Sequence, residues 1–163
     1  MQGAAASTRD PVRRQAIRRT AGFTLVELSI AIAIVGVMAA LGITNYRGYI
    51  ERVRVAKAIV DLKGIGVHLD VKKINDEALP ASLAAAGLSK NDPWGRPYVY
   101  LRLSAPPPIA ARRDQFNVPI NADFDLYSIG KDGLTHRQVS HPNAHDDVVR
   151  GANGGYYGLG RNY

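Results

Sequence analysis

The stretch that decides the fold runs from Phe23 to Ile43 and reads FTLVELSIAIAIVGVMAALGI: 21 residues with no Lys, Arg, Asp or Pro and one ionisable side chain, Glu27. At ~1.5 Å of rise per residue, a helix of this length covers roughly 31 Å, the thickness of a bilayer's hydrocarbon core. The segment is apolar on every side, which is the pattern of a membrane span rather than of a helix buried in a soluble domain. A secretory signal peptide fits worse, because its apolar run is shorter and ends in small residues of the A-x-A type. Here the polar break Thr20-Ala21-Gly22 precedes the run instead.

Upstream of the span, residues 1–22 carry Arg9, Arg13, Arg14, Arg18 and Arg19 against a single acid, Asp10, so more than half of the net charge of +7 sits at the front of the 163-residue chain. A basic flank of this kind is retained on the cytoplasmic side of a membrane. The remainder is nearly neutral, which removes the main support for a nucleic-acid partner. The chain has no Cys, which excludes disulfide scaffolds, thiolate nucleophiles and cysteine-ligated zinc. Its length and 46% hydrophobic content fit one modest domain plus an appendage.

Glu27 is the misplaced charge. A carboxylate at the centre of a bilayer costs about 2.5–3.5 kcal/mol on insertion scales unless it is neutralised or paired. No cation lies within one helical turn on its C-terminal side. A cut after Gly22 would create an α-amino group on Phe23, four residues before Glu27, able to neutralise the carboxylate on its own helix or on that of a neighbouring subunit. Burial of Glu27 then acts as an assembly signal.

These residues resemble a known family. Gly22-Phe23-Thr24-Leu25-Val26-Glu27 followed by an apolar run is similar to the type IV prepilin signature shared by pilins and by the pseudopilins of type II secretion. The resemblance implies that a membrane prepilin peptidase cuts between Gly22 and Phe23 and methylates the new terminus, and that Glu27 orders subunits in a filament. Asp92-Pro93-Trp94-Gly95-Arg96-Pro97-Tyr98 and Asp125-Leu126-Tyr127-Ser128-Ile129-Gly130-Lys131-Asp132-Gly133 resemble two head segments of the major pseudopilin. Two departures stand out. Thr44 occupies the neighbourhood where pilins commonly carry a helix-kinking proline, and residues 134–145 replace a compact glycine-glutamate loop with a longer insertion containing His and Asn.

The expected fold is α+β: a long N-terminal transmembrane and stalk helix packed on a small antiparallel β-sheet head. The expected organisation is a leader over 1–22, a membrane helix over 23–43, a stalk helix over 44–75 and a periplasmic head over 76–163. In the stalk, Tyr46, Tyr49, Ile50, Val53, Ala56 and Val60 follow helical 3-4 spacing and are read as the apolar face; the helix ends between Lys73 and Asp76. Leu83 to Leu88 reads as one or two helical turns, and Trp94 as an apolar plug against the stalk. Tyr98–Leu103 and Asp123–Ile129 read as strands, with a third around Phe116–Ile120 or Asp147–Arg150. Pro106-Pro107-Pro108 opens a loop, and the glycine-rich tail from Gly151 is either packed or flexible.

For the C-terminal loop, the resemblance implies one bound calcium ion, with Ile129 and Asp132 matching the family's positions around the DG turn and Asp146 and Asp147 as counterparts of its downstream acidic pair. Asp132 in a turn and Asp146-Asp147 at an element end are also ordinary structural positions. His136, His141 and His145 share no helical face, with Pro142 between them, and are read as a polar loop rather than a zinc site. No G-x-S-x-G, H-E-x-x-H, Walker A or dinucleotide-binding pattern occurs, so the chain is read as an assembly subunit and not an enzyme. The implied partners are the peptidase, identical and related pseudopilin subunits, the inner-membrane platform with its assembly ATPase, and the membrane itself. Two alternatives remain: a type IV pilin for adhesion or motility, against which the missing cysteine pair stands, and an uncleaved membrane-anchored periplasmic binding protein or enzyme.

Overall fold

The structure is a computed structural model that describes residues 22–76 and 78–163. The leader residues Arg9 to Arg19 lie outside the described residues. The chain divides into two compact units between Gly42 and Ile43.

Helix α1 runs Leu25–Asn75, 51 residues without a break, and ends inside the window read from the sequence. It passes through Thr44 uninterrupted, as the absence of proline allows. Its last turn carries Lys72 and Lys73, whose charge suits the negative end of the helix dipole, and Asp76 N–H closes on Lys72 O at 2.8 Å. One part of α1 is long and apolar enough to cross a membrane. Every side chain from Phe23 to Ile43 is exposed among the described residues.

The second unit packs the C-terminal part of α1 against a four-stranded antiparallel sheet of order β1-β2-β3-β4: β1 Val99–Arg102, β2 Phe124–Ser128, β3 Val148–Gly151 and β4 Tyr156–Leu159. Register is set by Val99 opposite Tyr127, Tyr127 opposite Val149, and Val148 opposite Leu159. Ala58, Leu62, Ile65 and Leu69 of α1 meet Tyr98, Phe124, Leu126 and Val148, with Leu83 and the half-buried Trp94 closing the edges. Complete burial of Leu62, Leu69 and Phe124 contributes about 1.5–3 kcal/mol each.

This corrects the stalk face read from the sequence. The residues that enter the core are Ala58, Leu62, Ile65 and Leu69, on a different stripe of the helix, while of those expected Tyr46, Tyr49, Val53, Ala56 and Val60 stay exposed and Ile50 is half-buried. Both stripes have helical spacing, and only the position of the sheet selects between them. The unselected stripe is regular: Tyr46, Val53, Val60, Val67 and Ile74 recur every seventh residue and all are exposed.

Two further elements take one of the forms expected. Leu83–Leu88 forms a single turn, with Ala86 N–H to Ser82 O at 3.2 Å, closed by Leu88 N–H to Leu83 O at 2.8 Å and capped by Ser82 Oγ. The third strand lies at Val148–Gly151, while Phe116–Ile120 forms only an isolated bridge of Pro119 with Arg113. The glycine-rich tail is a fourth strand. It is turned back by Ala152–Gly154, where Asn153 is held by Ala122 N–H to its Oδ1 at 2.7 Å and by its own N–H to Asn121 Oδ1 at 3.0 Å. Side-chain alternation gives the sheet a second buried face, where Val149, Tyr127 and Tyr156 meet Ile120 and Val139 of the connecting loops. The insertion over 134–145 therefore contributes, through Val139, to the cover of the sheet face opposite α1.

Candidate functional site

At the start of α1, Thr24 and Glu27 form a reciprocal cap. Thr24 N–H and hydroxyl donate to Glu27 Oε2 at 2.9 and 3.0 Å, and Glu27 N–H donates to Thr24 Oγ1 at 3.2 Å. This is a capping box, T-x-x-E, in which two otherwise orphaned helix donors are satisfied by side chains three residues apart. The sequence contains that signal, and a reading centred on the charge alone passes over Thr24. Glu27 thus has local hydrogen-bond donors, although the capping groups supply no countercharge. Phe23 is 90% exposed and precedes the helix. Among the described residues, and its chain neighbours apart, none has an atom within 4 Å of the place a Cβ on Gly22 would occupy, so they give no steric reason for glycine there.

The two head segments singled out in the sequence are joined to each other. Asp92 Oδ1 accepts from Trp94 N–H at 3.0 Å and Arg96 N–H at 2.9 Å, which shapes the Asp-Pro-Trp-Gly turn, while Oδ2 accepts from the Ser128 hydroxyl at the end of β2. Arg96 Nη1 donates to Gly130 O at 2.8 Å. Trp94 Nε1 donates to Glu51 Oε1 of α1 at 3.0 Å, so the turn is tied to the helix as well as packed on it. Gly130 has φ +65, and a Cβ there would lie 2.5 Å from Asp146 O, which explains the glycine on both conformational and steric grounds.

The four positions assigned to calcium are not gathered as ligands. Asp146 Oδ2 accepts from Lys131 N–H at 2.7 Å and Asp132 N–H at 3.0 Å, clamping the turn with backbone donors. Asp132 Oδ1 accepts from Leu134 N–H at 2.7 Å, an Asx turn. Ile129 follows β2 and leads into the turn whose Gly130 carbonyl is taken by Arg96. Asp147 is fully buried and faces Arg112, with Nη2 to Oδ2 at 2.7 Å, and it also accepts from Thr135 Oγ1 at 2.6 Å. Burial pushes the Asp147 carboxyl up, and Arg112 and Thr135 pull it back. Calcium asks for six to eight oxygens. Here one oxygen of each carboxylate is taken, by amide hydrogens at Asp132 and Asp146 and by a guanidinium and a hydroxyl at Asp147, and among the described residues no group of three or more His, Cys, Asp or Glu is placed to hold a metal ion. The residues present do not fit the ion.

His136 and His141 stack at 4.1 Å between ring centroids, and each Nδ1 accepts the backbone N–H two residues on, from Gln138 and Asn143. They build the insertion loop. Arg112 and Arg150, both buried, are the residues that sequence reasoning missed; a long charged side chain gives no local sign of being inside, because burial depends on partners distant in the chain.

The model of the prokaryotic N-terminal methylation motif matches residues 17–43. The chain is 29% identical to a type II secretion system core protein G of Pseudomonas aeruginosa, an alignment covering 71% of this chain and 87% of the relative. It is 27% identical to the protein of the same description from Klebsiella pneumoniae, covering 81% and 94%. A fimbrial protein of Neisseria meningitidis is 36% identical over 43% of this chain and 41% of its own length. No solved structure matches.

Proposed function

We propose that this chain, a type IV prepilin-like protein similar to the major pseudopilins, is a structural subunit of a type II secretion pseudopilus. The observation that carries this reading is the surface of Phe23–Ile43, exposed on every side and interrupted by one carboxylate, at the start of a helix continuous with the head. Such a surface is stable only in lipid or against other helices like it. In the filament the surface is covered by neighbouring copies, and Glu27 meets the amino group of an adjacent Phe23.

On this reading the leader through Gly22 stays in the cytoplasm and is removed by the prepilin peptidase. Residues 23–43 cross the inner membrane, and 44–75 and 76–163 form the stalk and head on the periplasmic side. The platform and assembly ATPase then draw subunits from the bilayer, and the growing filament drives folded proteins outward. The role is structural: the chain supplies packing surfaces and a charge, and the peptidase does the chemistry.

The test is the mass of the N-terminus from cells that hold the peptidase. Methylated Phe23 is the expected product; an intact Met1 would favour a membrane-anchored periplasmic protein. The similarity to a fimbrial protein favours a second reading as a pilin. Deletion of the gene separates the two: loss of exoprotein secretion with normal twitching supports the pseudopilus, and the reverse supports the pilus.

A further inference from the structure

We propose that the guanidinium of Arg112 is the built-in cation of the C-terminal loop, holding residues 134–147 to the sheet in place of a metal ion. Its partners are concentrated in that segment: Nη2 donates to Asp147 Oδ2 and Thr135 Oγ1, both at 2.7 Å, and Nη1 donates to His136 O. Thr135 and His136 belong to the insertion that departs from the expected compact loop, so the insertion itself supplies the ligands of the arginine. The guanidinium plane lies 3.7 Å from the Tyr127 ring centroid on β2, which fixes it to the sheet by a cation–π contact.

The backbone around Arg112 is anchored in the same way. Arg112 N–H donates to Asp125 Oδ2 of β2 at 2.6 Å. Arg113 N–H donates to Arg137 O at 2.8 Å, and Val139 N–H returns to Arg113 O at 2.9 Å. The insertion therefore runs beside 112–113, and the side chain that it surrounds is 2% exposed. The pair leaves two buried atoms without a hydrogen bond, Arg112 Nε and Asp147 Oδ1. One is a donor and one an acceptor. A calcium ion satisfies acceptors only, and would sit beside a positive charge already in place.

The experiment uses the full chain in detergent, melted with about 5 mM CaCl2 or with about 5 mM EGTA. A calcium site of even about 0.1 mM affinity would raise Tm by about 5 °C or more under these conditions. The expected shift is under about 1 °C, within the range for no linked site. A calcium-dependent rise of several degrees would overturn the proposal. Hydrogen exchange on the same sample gives the positive arm. Arg112→Lys, which keeps the charge and loses the fork, raises exchange across 134–147 while the β1–β4 amides keep their protection. The double variant Arg112→Met with Asp147→Asn exchanges more slowly there than Arg112→Met alone. Wild-type protection of 134–147 in Arg112→Lys would also overturn it. Neither readout depends on secretion or filament formation, so failure here is distinct from failure of the pseudopilus reading.

Discussion

Thr24 and Glu27 satisfy each other across the first turn of α1, with the Thr24 N–H and hydroxyl on one carboxylate oxygen at 2.9 and 3.0 Å. The contact changes what a Glu27 substitution reports. Glutamine at this position still accepts from Thr24 and preserves the capping box, whereas it carries no charge for a neighbouring amine. Glu27→Gln therefore separates capping from assembly. The expected outcome is normal membrane insertion and helix content with subunit incorporation lower by roughly 30–100-fold, the equivalent of about 2–3 kcal/mol for an unmatched charge pair. Quantifying sheared filaments against membrane-bound subunit checks it; wild-type filament yield would remove charge pairing from the account.

The exposed stripe Tyr46, Val53, Val60, Val67 and Ile74 belongs to no core within the subunit. In the filament proposed above, it is expected to serve as a packing seam between copies. Val60→Lys and Val67→Lys should leave the stability of the subunit within about 0.5 kcal/mol, as for other exposed positions, while reducing filament yield. Parallel thermal melting and filament counts on each variant separate the two effects, and equal yields from mutant and wild type would place the stripe outside the contacts.

Trp94 carries the turn onto the helix both by packing and by its indole N–H to Glu51. Trp94→Phe keeps most of the apolar contact and should cost about 1–2 kcal/mol, whereas Trp94→Ala should cost about 3–5 kcal/mol. Glu51→Gln retains an acceptor and should fall close to wild type. Denaturant melts of the three variants in one detergent give the order.

Arg150 is buried beneath Phe124, donating to Asp123 at 2.8 and 3.0 Å and to Phe124 O at 3.1 Å, with Asp70 of α1 at 3.9 Å. Arg150→Met should destabilise by about 3–5 kcal/mol, since it strands the groups that the guanidinium serves. Burial raises the Asp123 carboxyl, but Arg150 and the Phe124 amide outweigh it and hold the group below its usual range. A folded-state value below the unfolded one means that this stabilisation is complete above the unfolded carboxylate range and is lost as pH falls through the folded value. Asp125 acts in the opposite sense: burial raises it despite Asn121 and the Arg112 amide, so its contribution improves on acidification. Asp123→Asn should accordingly flatten the acid limb of the stability curve, read as Tm against pH from about 2 to 6. An unchanged limb would show that the pair does not govern acid sensitivity.

Much of the molecule was legible before any coordinates. The span from Phe23, the end of α1, the two strands around Tyr100 and Leu126 and the turn at Trp94 follow from hydropathy, periodicity and turn chemistry, which act over a few residues. The prepilin-like segment around Gly22 and Glu27 is local in the same sense. Which stripe of the stalk enters the core was not legible, because Val60 and Leu62 are equally apolar and only contact with Phe124 and Val148 distinguishes them. The tail from Gly151 carries little strand propensity, yet it becomes β4 because Asn121 and Asn153 staple its turn and Val148 lies opposite Leu159. Arg112 and Asp147 are 35 residues apart, and a sequence cannot display a bond between groups that only folding brings together. Short-range order was written in the chain; the choice of buried face and of the loop's cation belonged to the tertiary structure, since both depend on which distant surfaces exclude water together.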